Sequence, residues 1–156
     1  MDSLSNEAMV KKYADMVYRL ALVRTGNSWD ADEVFQEVFL RYFRKKPVFT
    51  DENHRKAWLL KVTVNCSKKL QLSLWQKRFV RLDESIPFTE KEDINLFTYI
   101  CRLPQKYRDV IHLFYYEDMS CDEIAQLLGR KPSTVRTQLT RARAMLKEIL
   151  QEEDYV

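Results

Sequence analysis

The sequence predicts an all-α protein made of two small helical domains joined by a flexible acidic linker. Three observations carry that prediction. Only two Gly and four Pro occur in 156 residues, with 46% hydrophobic and 31% charged residues, a composition suited to compact helices and not to long disordered tracts. Apolar residues recur at helical spacing along most of the chain. Between residues 83 and 93 the balance flips to five acids and one lysine, with Pro87 and little periodicity, which marks a linker and a domain boundary.

The first helix is expected over 6–24, with Val10, Tyr13, Ala14, Val17, Leu20 and Ala21 on one face. Gly26 supplies the turn that ends it, and Asn27 can cap the helix that follows. That second helix, 28–45, places Ala31 ahead of the doublets Val34/Phe35, Val38/Phe39 and Tyr42/Phe43, a wide aromatic stripe. Asp32, Glu33, Gln36, Glu37 and Arg41 are left largely on the opposite face, where plain solvation is the simplest fate. Pro47 stops this helix and opens a loop, 47–53. A third helix is expected at 55–74, turning Ala57, Trp58, Leu60, Val64 and Cys66 inward. Residues 53–82 hold eight Lys or Arg and no acid, interleaved with Trp58, Trp75 and Phe79. Such a block suits phosphate contact combined with base stacking, although core burial is the expected fate of Trp58.

Beyond the linker, helices are expected over 94–101 and 104–116, the second using Tyr107, Val110, Ile111 and Phe114 as its core side. The stretch 120–147 then contains two helices and the turn between them. Ser120 and Glu123 form a capping box, Ile124, Leu127 and Leu128 make an apolar face, and Ala125 permits close approach of a neighbour. Gly129 ends that helix and Pro132 restarts the chain as a first helical residue. Val135, Leu139, Ala142 and Leu146 fall on one side of the new helix; Ser133, Thr134, Arg136, Thr137, Gln138, Arg141 and Arg143 fall on the other. Residues 129–147 hold six Lys or Arg and no acid. The helical period alone suits a solvated amphipathic pair in an ordinary bundle equally well; the single sign of charge favours a helix-turn-helix that enters the DNA major groove. The acidic tail, 148–156, is expected to fray.

Cys66, Cys101 and Cys121 form no CxxC pair, and His54 and His112 are isolated, so reduced, packed thiols are expected and no metal or cofactor. No apolar run reaches membrane-spanning length and no basic-then-apolar leader opens the chain, so a cytoplasmic protein without membrane insertion is expected. Paired carboxylates and a phosphate-binding glycine loop are missing, and no serine of the N-terminal half sits in a recognisable catalytic setting. This argues against an enzyme, including a recombinase, and against a small-molecule substrate.

With these residues in view, the chain resembles the small bacterial sigma factors of the extracytoplasmic function type over nearly its whole length. LPQKYRDVIHLFYYEDMSCDEIAQLLGRKPSTVRTQLTRARAML is similar to the family's domain four, which binds the upstream, minus-thirty-five promoter element. ADEVFQEVFLRYF resembles the part of domain two that docks on core RNA polymerase, and HRKAWLLKVTVN the segment that opens and reads the minus-ten element. The resemblance implies domain two at 1–78, a linker at 79–93 and domain four at 94–156. It implies that Asp32, Glu33, Gln36 and Glu37 face the polymerase. Asn65 would help hold an extruded base, the loop around Phe49 would shape its pocket, and Lys68 and Lys69 would join the same minus-ten region. Ser133, Thr134, Arg136, Thr137, Gln138, Arg141 and Arg143 would read the upstream element. Many members carry an aspartate four residues after that asparagine, whereas Lys69 stands here, so the detailed minus-ten specificity does not carry over. The implied partners are core RNA polymerase, duplex promoter DNA and its melted single strand, with an anti-sigma factor as a further partner. The acidic linker would thread the polymerase's RNA channel as a mimic of nucleic-acid charge.

A self-contained dimeric helix-turn-helix regulator remains the alternative reading of the same residues. Two basic blocks separated by acid favour the sigma reading. The fifteen residues 79–93 reach about 50 Å when extended, at roughly 3.3 to 3.6 Å per residue, so one monomer can address two unlike elements where a dimer would want a palindrome.

Overall fold

A computed structural model of the chain describes residues 5–76 and 96–154, with side chains described for 5–73 and 96–152. Every regular element among the described residues is a helix: α1 Asn6–Thr25, α2 Ser28–Lys45, α3 Glu52–Gln76, α4 Leu96–Ile100, α5 Gln105–Tyr116, α6 Cys121–Leu128 and α7 Pro132–Asp154. They form two compact units, Met1–Ser85 and Ile86–Val156. The acidic stretch expected as a linker, with Lys77, Arg78, Phe79 and Arg81 before it, lies outside the described residues, as does the ring of Trp75.

In the first unit α1, α2 and α3 each pack against the other two. Local chemistry sets their ends. Ser5 accepts a hydrogen bond from the Ala8 N–H at 3.1 Å and starts α1; Gly26 ends it at φ 84°, a conformation that costs glycine little. Asn27 accepts from the Asp30 N–H at 2.9 Å, as the sequence predicts for a cap. Lys46, at φ 46°, closes α2 before Pro47. α3 begins three residues earlier than expected, because the Asp51 carboxylate accepts from the His54 N–H at 2.8 Å and caps it.

The core of this unit is Met9, Val17, Leu20, Val23, Val34, Val38, Leu59 and Val64, all essentially inaccessible. α3 faces both α1 and α2, so its buried stripe runs through Arg55, Leu59, Leu60, Thr63, Val64, Cys66 and Ser67. Ala57, expected inward, is exposed, and Trp58 is half-buried. On α1, Met9 is buried while Val10 and Ala14 are only half-buried. The C-terminal end of α1 is tied to α3 by polar contacts. Arg24 Nε donates to Ser67 Oγ at 3.0 Å, and Gln71 Nε2 donates to the Arg24 carbonyl at 2.8 Å.

In the second unit α5 packs against α4, α6 and α7, and α7 also packs against α4 and α6. Because α5 has neighbours on several sides, Asp109, Val110, Ile111, His112 and Leu113 are all buried, whereas Tyr107 and Phe114, expected in the core, are half-buried. His112 stacks on Tyr116, with centroids 5.1 Å apart. Burial pushes the Cys101 thiol up to about 12, which keeps it protonated and inert. α7 does not end near Glu148 as expected but continues to Asp154, with Ile149 and Leu150 half-buried beyond Leu146. Among the described residues no helix is long and apolar enough to cross a membrane.

Leu139 is 3% exposed and Val135 fully buried at the α7 interface. Leu139→Ala should therefore lower the stability of the second unit by about 2 to 5 kcal/mol, and Ser120→Ala by about 1 kcal/mol through loss of its cap. Chemical denaturation followed by far-UV circular dichroism checks both; Arg136→Ala, at an exposed site, should leave the midpoint unchanged.

Candidate nucleic-acid and polymerase interfaces

The turn of the second unit is built as its sequence requires. Ser120 Oγ accepts from the Glu123 N–H at 3.1 Å while Glu123 Oε1 accepts from the Ser120 N–H at 2.9 Å. These bonds hold the Glu123 carboxyl below its usual range. Gly129 takes φ 73° and its N–H returns to the Ala125 carbonyl. α7 follows at Pro132, and Val135, Leu139, Ala142 and Leu146 all point into the core.

Ser133, Thr134, Arg136, Thr137, Arg141 and Arg143 are accordingly exposed and Gln138 is half-buried. They do not form one uniform row. Thr134, Gln138 and Arg141 are neighbours at i, i+4 and i+7, whereas Arg136 and Arg143, seven residues apart, share a different strip. Thr137 donates its hydroxyl back to the Ser133 carbonyl at 3.1 Å. Arg143 leans onto α5: its Nε donates to the Tyr115 hydroxyl at 2.9 Å and its guanidinium lies 5.0 Å from the Phe114 ring centroid. Gln138 is gripped by Arg130 of the turn. Tyr115, Arg130 and Asp109 are contributors to this face that sequence reasoning missed. Arg130 meets Asp109 across 21 residues and Tyr115 meets Arg143 across 28, separations no local pattern encodes.

The first unit carries a different surface. Glu33, Gln36, Glu37 and Leu40 of α2 face Lys69 and Leu70 of α3 across an open groove of about 350 Å³. Glu37 accepts from Arg41 Nε at 2.8 Å, which holds its carboxyl below the usual range, with Arg44 and Lys69 adding to the effect. Asp32 is not part of that groove; it lies beside Tyr18 of α1 and, after burial, is what raises that phenol. Lys69, expected with the minus-ten residues, thus lies beside the acids of α2.

The loop before α3 is pinned from inside. Phe49 is only 7% exposed, 6.2 Å from the Tyr42 ring, 5.1 Å from His54 and 6.1 Å from Trp58, with the Arg55 guanidinium 5.0 Å from its centroid. Arg55 itself is buried, donating to the Tyr42 hydroxyl and, at 3.2 Å, to Glu52 Oε1. Tyr13 donates to the other Glu52 oxygen, a bond that lowers the Glu52 carboxyl and, together with burial, raises the Tyr13 phenol. Phe49 therefore shapes the loop from beneath and leaves Val48 and Thr50 outward. Asn65 and Lys68 are exposed further along α3, with Asn65 two turns beyond Trp58 on the same face.

Two helical units, one with an acid-edged groove and one with a capped helix-turn-helix whose outer face is cationic, are an arrangement suited to binding DNA. Comparison with known proteins carries this further. Residues 9–76 match the model of sigma-70 region 2 and residues 94–146 that of sigma-70 region 4. The chain is 30% identical over 143 residues to RNA polymerase sigma factor SigV of Bacillus subtilis, covering 88% of this chain and 86% of that protein. It is 30% identical over 157 residues to ECF RNA polymerase sigma factor SigE of Mycolicibacterium smegmatis, covering 92% of this chain but 61% of that protein's length. In fold it is similar to the sigma factor RpoE of Bartonella quintana, solved with the anti-sigma factor NepR, at TM-score 0.74 and 18% identity over 93% of this chain and 96% of that one. The chain belongs to the sigma-70 family of RNA polymerase sigma factors, in its extracytoplasmic function group. Sigma factors are transcription initiation factors and not enzymes.

The Arg55 knot yields a prediction. Arg55→Ala should destabilise the first unit by about 2 kcal/mol or more, since charged hydrogen bonds of roughly 1.5 to 3 kcal/mol are lost. Hydrogen exchange should show faster exchange of the amides of residues 48–51 before any change in α1.

Proposed function

We propose that this chain binds core RNA polymerase in the cytoplasm and directs it to two-part promoters. Domain two, 1–78, docks on the polymerase and melts the minus-ten element; domain four, 94–156, reads the minus-thirty-five element; residues 79–93 join them. The observation that carries this reading is the division of labour between the two surfaces. The groove edge of α2 is polar, acid-bearing and largely exposed, while the outer face of α7 is cationic and stands on a capped turn.

Glu33, Gln36 and Glu37 contact the polymerase, with Asp32 flanking them. Arg41 keeps Glu37 charged and oriented, so this contact should weaken with salt. Asn65 and Lys68 lie along the melted strand, with the Phe49 loop forming the wall of the pocket. Lys69 sits between this region and the groove, which links the two tasks of the domain. On α7, Thr134, Gln138 and Arg141 face base edges, and Ser133, Arg136, Thr137 and Arg143 contact base edges or phosphates beside them. An anti-sigma factor is a natural further partner, since RpoE is solved with NepR, an anti-sigma factor.

Gln36→Ala combined with Glu37→Lys should stay folded yet lose affinity for core polymerase in a pull-down; normal capture would return this face to plain solvation. Run-off transcription with core enzyme, with and without the chain, tests the whole. Output should depend on the chain, require a non-palindromic promoter and fall when the spacer changes by a few base pairs. Arg136→Ala and Arg141→Ala should each weaken upstream-element recognition by about 1 to 3 kcal/mol if they are base contacts. Tight binding to a palindrome without polymerase would instead establish the dimeric regulator.

A further inference from the structure

Arg130, in the turn between α6 and α7, makes three side-chain hydrogen bonds at once. Its Nη1 donates to Gln138 Oε1 at 2.9 Å and to the Lys106 carbonyl at 3.2 Å, and its Nη2 donates to Asp109 Oδ2 at 2.9 Å. The Asp109 side chain is 0% exposed and that of Arg130 is 21% exposed, so the ion pair anchors the guanidinium from the core side. A guanidinium has donors and no acceptor. The amide of Gln138 must therefore turn its oxygen to Arg130, which leaves the NH₂ as its free end.

Two-point recognition of adenine by glutamine uses both amide atoms: the oxygen accepts from N6 while the nitrogen donates to N7. Here a fixed positive charge stands beside that oxygen. It faces the positively polarised amino hydrogens of adenine N6 or cytosine N4 unfavourably. Guanine O6 and N7 and thymine O4 are acceptors and suit the free NH₂.

We propose that Arg130 is a positioning residue for promoter choice, holding Gln138 as a donor-only reader that selects guanine or thymine at one base pair of the upstream element. This inference rests on α7 being the reading helix. It concerns Gln138 and the Asp109 carboxylate, which lie 8 and 21 positions from Arg130, and it makes Asp109 part of promoter specificity without any contact to DNA.

The test is transcription by core RNA polymerase with the full-length chain on promoters in which each base pair of the upstream element is replaced in turn. Wild type should favour guanine or thymine over adenine at one position by about five-fold or more, and Gln138→Ala should level that position alone. Arg130→Met combined with Asp109→Leu removes both charges together, so that neither is left buried alone. In that variant the same position should move towards adenine by about five-fold or more while the others keep their preferences. Gln138→Glu keeps an acceptor for Arg130 but has no donor, and should lose the guanine or thymine preference.

A wild-type preference for adenine at that position overturns the proposal. So does an absence of any Gln138-dependent position, or an unchanged preference in the folded Arg130→Met, Asp109→Leu protein. If that double variant does not fold, Gln138→Glu decides: retained preference for guanine or thymine overturns the proposal. Failure of the underlying reading looks different, because Arg136→Ala and Arg141→Ala would then also leave output and every base preference unchanged.

Discussion

Helices of five to twelve residues have almost no stability of their own in water, because nucleation costs more than so few hydrogen bonds return. α4, α5 and α6 are of that length, so the second unit exists only through the apolar faces they bury together with α7. Ile124, Ala125, Leu127 and Leu128 account for half of the eight residues of α6, and all four are buried. Full burial of one large aliphatic side chain contributes roughly 1.5 to 3 kcal/mol. Such a helix has no apolar residue to spare for recognition. The outer face of α7 is free to be polar and cationic because its inner face does the packing.

Where apolar burial leaves the approach of one element to another undetermined, buried charged groups complete it. Arg55 gathers Tyr42, Glu52 and the Phe49 ring and so connects the end of α2, the loop and the start of α3. Arg24 joins the end of α1 to Ser67 and Gln71. Asp109 and Arg130 do the same for α5 and the turn before α7. A buried ion of this kind is weak grounds for added stability, since desolvation offsets much of the attraction. Its use here is geometric: each one fixes one segment against another.

The surfaces separate by charge within each unit. In the first, the acids of α2 lie along one groove with Lys69 across it, and Arg41 first, then Arg44 and Lys69, hold the Glu37 carboxyl below its usual range. In the second, exposed cations dominate the outer side of α7 and reach Tyr115 on α5 through Arg143.

The sequence by itself determined the helices, the caps at Gly26, Asn27, Ser120 and Gly129 and the inner stripe of α7, because period, capping box and glycine turn are local properties read within a few residues. It also determined which residues could face DNA, since a single-signed outer face is written in composition. It misplaced Ala57 and Phe114, because the number of neighbours around a helix is not encoded in its own period, and it began α3 three residues late, because Asp51 caps the helix ahead of its first apolar residues. Only the tertiary structure decided that Asp32 leaves the groove that Glu33, Gln36 and Glu37 share, that Phe49 supports its loop from beneath, and that Gln138 is held by Arg130. Those outcomes depend on how the helices and loops pack against one another, and the distance of 2.9 Å between Arg130 and Asp109, 21 residues apart, follows from helix packing and from nothing local to either residue.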